Sequence, residues 1–380
     1  MRHTVAHGWF GRNTMANNSD WKIQLDAVIA AHNTRHAVRN KLVSHSTMDA
    51  RKKGLFRAFR TLRALGFQPA PANLSGAHID VLMRYWTADP QLQTCLGDAS
   101  AKLQLRTHPY SAAYIQQQLS FLRVYASWIG KPGLVRDAER YTSHPQLVRR
   151  TYCAQLDKGW TGNGIDVDAS IRAVAKIDLY VAAQLRMAMA FGLRRKEAVM
   201  FRPHVAEVPD FALPSSCAAI SRYVSFLRIK RGTKGGRLRF AAIRTQAQRD
   251  ALACAKEIAR FPHSDLGRPG LTLKQSLDLF SNVVRMAGLT KKTLGVTPHG
   301  LRHEFAGDLY FDIASVQPPV RGNDPCADPD TMRAAYHEVA RQLGHNRPQI
   351  SNAYLGSPCL HVTEQRSDDE PCAISTCGEP

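Results

Sequence analysis

Ala188-Met189-Ala190-Phe191-Gly192-Leu193-Arg194-Arg195-Lys196-Glu197 reads as the end of one helix and the start of another. Gly192 supplies the left-handed residue that commonly closes a helix. Arg194 then falls in the first turn of the next helix, where unpaired backbone N–H groups already favour an anion. Three further stretches follow in order. Thr233-Lys234-Gly235-Gly236-Arg237 forms the tip of a hairpin, because Val224, Phe226, Leu238 and Phe240 interleave with polar residues between Arg222 and Ile243. A lysine on such a tight, mobile turn can reach into a cleft. Pro298-His299-Gly300-Leu301-Arg302-His303 opens a helix, with His299 and Arg302 three apart on one face. Leu343-Gly344-His345 is followed nine residues later by Tyr354. Each pattern alone is common. Two arginines, a lysine, two histidines and a tyrosine in this order are a poor product of chance.

Outward from these motifs the chain is mostly helical. Residues 20–135 show apolar positions recurring every three or four, as in Ile79, Leu82, Met83 and Trp86, and again in Ile115, Leu119, Leu122, Tyr125 and Trp128. Ser111 is placed to cap the second of these helices, and Gly130-Lys131-Pro132-Gly133 stops it. The expected fold class is mainly α with a small β-hairpin or sheet (α+β). The expected division is a basic polar extension at 1–19, a helical domain at 20–135, a polar linker at 136–165, a second domain at 166–360 and a flexible tail at 361–380. The Pro- and Asp-rich stretch 317–330 reads as an inserted surface loop.

The chain carries 51 Lys and Arg against 31 Asp and Glu, a formal charge of +20. A surplus of this size favours a polyanion, most often nucleic acid. The first sixty residues hold eleven basic against three acidic residues. Arg51, Lys52, Lys53, Arg57 and Arg60 lie at helical spacing around Leu55, Phe56, Phe59 and Leu62, and are the candidate DNA contacts of the first domain. The eight cysteines are scattered, and Cys372 with Cys377 lacks a second pair, so no metal site is expected. Dispersed cysteines and the absence of an apolar leader in Met1–Ala16 read as a reduced cytoplasmic protein. No run approaches the roughly 18 apolar residues that span a bilayer. The chain has neither a Gly-x-x-x-x-Gly-Lys phosphate loop nor a carboxylate cluster for two metal ions, which argues against two-metal DNA chemistry.

The motif set resembles the catalytic domain of the tyrosine recombinases, the phage-type integrases, over Ile171 to about Leu355. That family has an Arg in a Gly-Leu-Arg-x-x-Glu context, a hairpin Lys, a His-x-x-Arg-His box, a Leu-Gly-His box and a Tyr nine residues after that last His. The matching residues are Arg194 with Glu197, Lys234, His299 with Arg302, His345 and Tyr354. Spacing leaves Arg194 and Arg195 both open, and the family register selects Arg194. Ser46-Thr47-Met48, Leu62 to Phe67, His78 to Trp86 and Leu119 to Trp128 resemble an integrase core-binding domain. The stretch 317–330 departs from the family, in which the two histidine boxes stand closer together.

The resemblance implies site-specific recombination or integration of a mobile element through a covalent 3′-phosphotyrosyl intermediate on Tyr354. It implies double-stranded DNA as partner, no cofactor, a homotetramer on two DNA sites, DNA-bending accessory proteins and a nucleoid-associated location. Alternatives are a type IB topoisomerase-like relaxation enzyme and a catalytically inactive architectural DNA-binding protein. The chemistry suits the residue types. Guanidinium is permanently charged and forks onto the oxygens of a phosphodiester, so Arg194 and Arg302 would clamp it. Tyr354, with an ordinary pKa of about 10, must lose its proton during attack. His299 is the expected assistant, His345 the expected hydrogen-bond donor to the phosphate, and Lys234 the expected acid for the departing 5′ oxygen. Glu197 would buttress Arg194, and His303 has the weaker claim of a packing residue.

Overall fold

A computed structural model describes residues 20–35, 42–96, 105–214, 223–322 and 327–357. The chain divides into two compact units, Met1–Arg150 and Thr151–Pro380. The expected extension 1–19 and tail 361–380 lie outside the described residues, as do residues 323–326.

The first unit is built from α1 (Asp20–His32), α2 (His45–Ala64), α3 (Gly76–Thr87), α4 (Gln91–Leu96) and α5 (Ala112–Trp128). The Ser111 hydroxyl caps α5 by accepting from Tyr114 N at 3.3 Å, and Ser44 caps α2 in the same way. The periodic residues meet in one core: Trp21, Leu25, Leu55, Phe59, Leu62, Ile79, Leu82, Trp86, Ile115, Leu119 and Tyr125 are all buried. Of the five cations expected on the DNA-facing side of α2, the structure turns one inward. Arg51 is 6% exposed and donates to Arg35 O at 3.4 Å. It shares a face with Leu55 and Leu62, so the helical period that buries them buries it too. Lys52 and Lys53 are exposed and paired with Asp26 and Asp49. Arg57 and Arg60 are exposed and line an open depression with Thr61, Ala64 and Tyr85.

In the second unit, α6 (Val167–Ala175), α7 (Leu179–Phe191) and α8 (Arg195–Val199) lead into a three-stranded antiparallel sheet. Its strands are β1 (Glu207–Pro209), β2 (Ser225–Ile229) and β3 (Arg239–Ala242), in that order across the sheet. In register, Phe226 pairs with Ala242 and Arg228 with Phe240, which forms the expected hairpin. The strand β1 adds an edge that the sequence pattern does not announce. Then come α9 (Gln246–Ala259), α10 (Leu273–Met286), α11 (Lys291–Leu294), α12 (Gly300–Ala314), α13 (Pro329–Gln342) and the one-turn α14 (Asn352–Leu355). The helix α12 runs through the unit: Leu301, Phe305, Ala306, Leu309 and Tyr310 are all buried.

Two segments differ from expectation. The stretch 317–330 is not a free surface loop in its first half. Pro318 and Pro319 are buried, and Arg321 pairs with Asp157 at 2.9 Å and Glu304 at 2.8 Å. The stretch 136–165 does not read out as a bare linker either. Trp160 is fully enclosed, its indole N–H donating to Thr297 O at 2.7 Å, and Ala154 N donates to Asn352 O at 2.8 Å. Asp157 and Thr161 there bond to Arg321 and Glu304, which composition alone does not reveal.

Candidate active site

Gly192 ends α7 with φ +59°, the left-handed conformation expected of a closing glycine. A side chain there would also collide with the Phe305 ring, since a Cβ would lie 2.6 Å from it. The turn sets Arg194 as the residue that begins α8. Its backbone N–H donates to Glu197 Oε2 at 3.0 Å, and its Nη1 donates to Glu197 Oε1 at 2.6 Å. Neighbouring Arg195 instead bonds to the Ser281 hydroxyl on the exposed side, so the local geometry selects Arg194.

Glu197 is fully buried and organises three guanidiniums. Arg239 Nη2 donates to its Oε2 at 2.7 Å, and Arg302 Nη1 stands 3.9 Å from the same oxygen. Burial alone would raise the carboxyl. Arg239, Arg302 and Arg194 outweigh it and hold Glu197 down at about 2. Arg239 was not anticipated. It is 3% exposed and ties the sheet to both motif turns, donating to Gly192 O at 3.2 Å and Gln342 O at 2.5 Å. Gly344, with φ +72°, is held to glycine for a second reason: a Cβ there would lie 2.8 Å from Arg239 Cδ.

Arg302, on the first turn of α12, is completely enclosed. Its Nη1 donates to Gly192 O, its Nη2 to Leu343 O at 2.6 Å, and its Nε to the Tyr354 hydroxyl at 3.2 Å. One side chain therefore links three of the motifs. Burial pulls its guanidinium down to about 10, and Tyr354 opposes the fall. It stays charged at neutral pH. His345 Nε2 lies 3.4 Å from the Tyr354 hydroxyl and 3.4 Å from Arg302 Nη2. Tyr354 itself is 8% exposed on α14. The rings of His303 and His299 flank it, with centroids at 4.8 and 6.2 Å. His303 packs against the phenol ring, as a supporting residue would.

Six sequence-selected residues thus converge: Arg194, Glu197, His299, Arg302, His345 and Tyr354. Lys234 does not join them. It is exposed on the 3₁₀ turn Lys234–Gly236 and makes no hydrogen bond or ion pair with the described residues of the group. The base of its hairpin is nonetheless fixed beside α8, because a Cβ at Gly232 would lie 2.5 Å from Lys196 O. His345, not His299, is the ring within reach of the phenol proton.

His299, His303 and His345 are each lowered from 6.5 to about 4, first by burial and then by neighbouring charge. His299 keeps one side open to solvent, so packing on its other side sets the direction. The consequence for stability has a definite sign. A histidine depressed in the folded state favours the fold fully above its unfolded value of about 6.5. That contribution is lost as pH falls from 6.5 toward 4, where the unfolded chain takes up protons first. Glu197 adds to this change only at the acid end of the window, because its own loss begins as pH falls through its unfolded value of about 4.5 and runs on toward 2. We expect the denaturation midpoint to drop between pH 6.5 and 4, and the drop to shrink in a His303→Gln variant. A midpoint flat over that window in the wild-type chain would contradict the buried neutral histidines.

Among the described residues no group of histidine, cysteine and acidic side chains is arranged to hold a metal ion. No described helix is long and apolar enough to cross a membrane. Cys254 is a free cysteine.

A buried tyrosine hydroxyl held by a guanidinium, beside two more arginines sharing one carboxylate, is a site for an oxyanion and a nucleophile. The integrase family model matches residues 163–308, a segment that contains Arg194, Glu197, Lys234, His299 and Arg302. Over that segment the chain is similar to the integrase family. Among solved structures, the chain is similar to a lambda integrase (residues 75–356) dimer bound to a COC′ core site. Identity is 14%, covering 92% of this chain and 99% of that one, with a TM-score of 0.49. It is also similar to the XerH site-specific recombinase in a post-cleavage complex with a palindromic difH substrate, at 16% identity over 91% of this chain and 84% of that one, with a TM-score of 0.46. A third likeness is the lambda integrase (residues 75–356) bound to DNA, at 12% identity over 87% of this chain and 96% of that one, with a TM-score of 0.49. A search of the curated proteins finds no match.

Proposed function

We propose that this chain is a site-specific DNA recombinase that cuts and rejoins double-stranded DNA through Tyr354. The observation that carries the reading is the Tyr354 hydroxyl at 3.2 Å from Arg302 Nε and 3.4 Å from His345 Nε2. A phenol so placed can lose its proton toward His345 while Arg302 stabilises the oxygen that remains. Tyr354 Oη attacks phosphorus, the P–O5′ bond breaks, and a 3′-phosphotyrosine forms. Arg194 and Arg302 offset the charge that grows on the non-bridging oxygens. A 5′ hydroxyl from a second strand then reverses the step, so the energy of the phosphodiester bond is conserved. The partners in this reading are DNA duplexes held by several copies of the chain, with Arg57 and Arg60 as phosphate contacts of the first unit. The test is to incubate the chain with supercoiled plasmids carrying candidate attachment sites. Joining of two DNA partners supports recombination. Relaxation without joining supports the topoisomerase reading, and binding without either supports an architectural protein.

Lys234 is proposed as the acid that protonates the 5′ oxygen, delivered by its exposed turn when DNA is bound. Lys234→Ala is then expected to cleave an ordinary duplex slowly and a 5′-bridging phosphorothioate duplex at close to the wild-type rate, because sulfur leaves without a proton. Equal defects on both substrates would remove Lys234 from that role.

A further inference from the structure

The segment 157–163 crosses the start of α12 and is pinned along its length. Asp157 accepts from Gly159 N at 2.7 Å and from Arg321 Nε at 2.9 Å. Glu304 accepts from Thr161 N at 2.6 Å and from Arg321 Nη2 at 2.8 Å. Asn163 Nδ2 donates to Gly159 O at 2.6 Å. Between these fixed points lies Lys158. Its carbonyl presses on the helix start so closely that a Cβ at Gly300 would lie 2.5 Å away. Its side chain is exposed and makes no hydrogen bond or ion pair among the described residues. The ammonium nevertheless lies near enough to act on both His299 and His303, lowering each.

Charge at the site leaves room for such a residue. Arg194, Arg239 and Arg302 share a single carboxylate, Glu197, and the histidines are neutral at physiological pH. Arg239 is committed to Glu197, Gly192 O and Gln342 O. On the His299 side Lys158 is an accessible cation among the described residues. DNA carries a phosphate at every nucleotide, so a duplex with one phosphate at Tyr354 brings its neighbours past the flanks of the site.

We propose that Lys158 is a further phosphate-contacting residue of this site, holding a DNA backbone phosphate on the His299 and His303 side of Tyr354. This rests on the reading of the chain as a DNA strand transferase, and the test separates the two. The probe is a short duplex recovered from a randomised pool by binding to the full wild-type chain. Binding is measured across a range of salt for wild type, Lys158→Gln and Lys158→Arg. One lost phosphate contact makes the slope of log K against log salt shallower by about 0.9. Lys158→Gln is expected to show that change, and Lys158→Arg to keep the wild-type slope. A neutral methylphosphonate is then walked along the duplex backbone. At one position it should bring wild type to the level of Lys158→Gln while leaving Lys158→Gln unchanged. Equal slopes for wild type and Lys158→Gln, or no position at which the two converge, would overturn the proposal. Lack of a covalent adduct from wild type on this duplex would remove the strand-transfer reading, and the salt slopes would still decide on Lys158.

Discussion

Tyr354→Phe is expected to form no covalent adduct with DNA while binding it with wild-type affinity. The hydroxyl is the only atom removed. The phenol ring, which packs against His303 at 4.8 Å and lies under the Arg302 guanidinium at 5.7 Å, is retained. Arg302 Nε gives up its acceptor at 3.2 Å, but the backbone around the ring is held by other bonds. Tyr336 Oη bonds to Gly356 O at 2.8 Å and Ser351 Oγ to Tyr336 O at 2.8 Å, so α14 stays fixed at both ends. What disappears is the proposed nucleophile, for which neither Arg302 nor His345 can substitute. Denaturing gels after incubation with labelled DNA give the adduct, and mobility shifts give the affinity. An adduct that persists in the Phe variant would remove Tyr354 from the chemistry.

Arg302→Ala should damage both the fold and the reaction. The side chain is wholly enclosed, and its truncation leaves Leu343 O without the donor now at 2.6 Å. A buried acceptor stripped of its partner costs about 1–3 kcal/mol, and the cavity adds to that. Gly192 O keeps its bond from Arg239 at 3.2 Å, which limits the damage to the α7–α8 turn. The catalytic loss is larger. Removing one donor aimed at charge that develops in the transition state typically lowers the rate by roughly two to three decades. Arg302→Lys should recover little, because an ammonium cannot reach Leu343 O, Gly192 O and Tyr354 from one rigid fork. The measurements are a denaturant midpoint and the cleavage rate per bound complex, taken well below the unfolding transition. Loss of DNA affinity alone, with cleavage per bound complex unchanged, would count against this role.

Much of the site was legible because each motif is local. Gly192 with Arg194 and Glu197, His299 with Arg302, and Gly344 with His345 each bring candidate residues together within five positions. The helical cores were legible for the same reason, since Ile79, Leu82 and Trp86, and again Ile115, Leu119, Leu122 and Tyr125, follow the helical period. Arg239 was hidden. An alternating strand is expected to turn Leu238 and Phe240 inward and Arg239 outward. Yet Leu238 is 44% exposed and all four residues of β3 are buried, because the strand is covered on both faces. Nothing in a period of two marks an arginine whose partner, Glu197, lies 42 positions earlier. The segment around Trp160 was hidden differently. Asp157, Thr161 and Asn163 look like solvated linker residues until Glu304 and Arg321 are placed beside them. Arg51 misled in the opposite sense, since a basic run on a helix reads as one cationic face although the helix rotates 100° at each residue.

The decisive measurement is the chemical identity of the residue that becomes attached to DNA. Wild-type chain is trapped on a nicked duplex that lets the short fragment with the freed 5′ hydroxyl diffuse away, digested with protease and nuclease, and sequenced by tandem mass spectrometry. The expected result is a nucleotide joined through a 3′-phosphate to the phenol oxygen of Tyr354. Attachment at any other residue, or cleaved DNA carrying no protein, would contradict it.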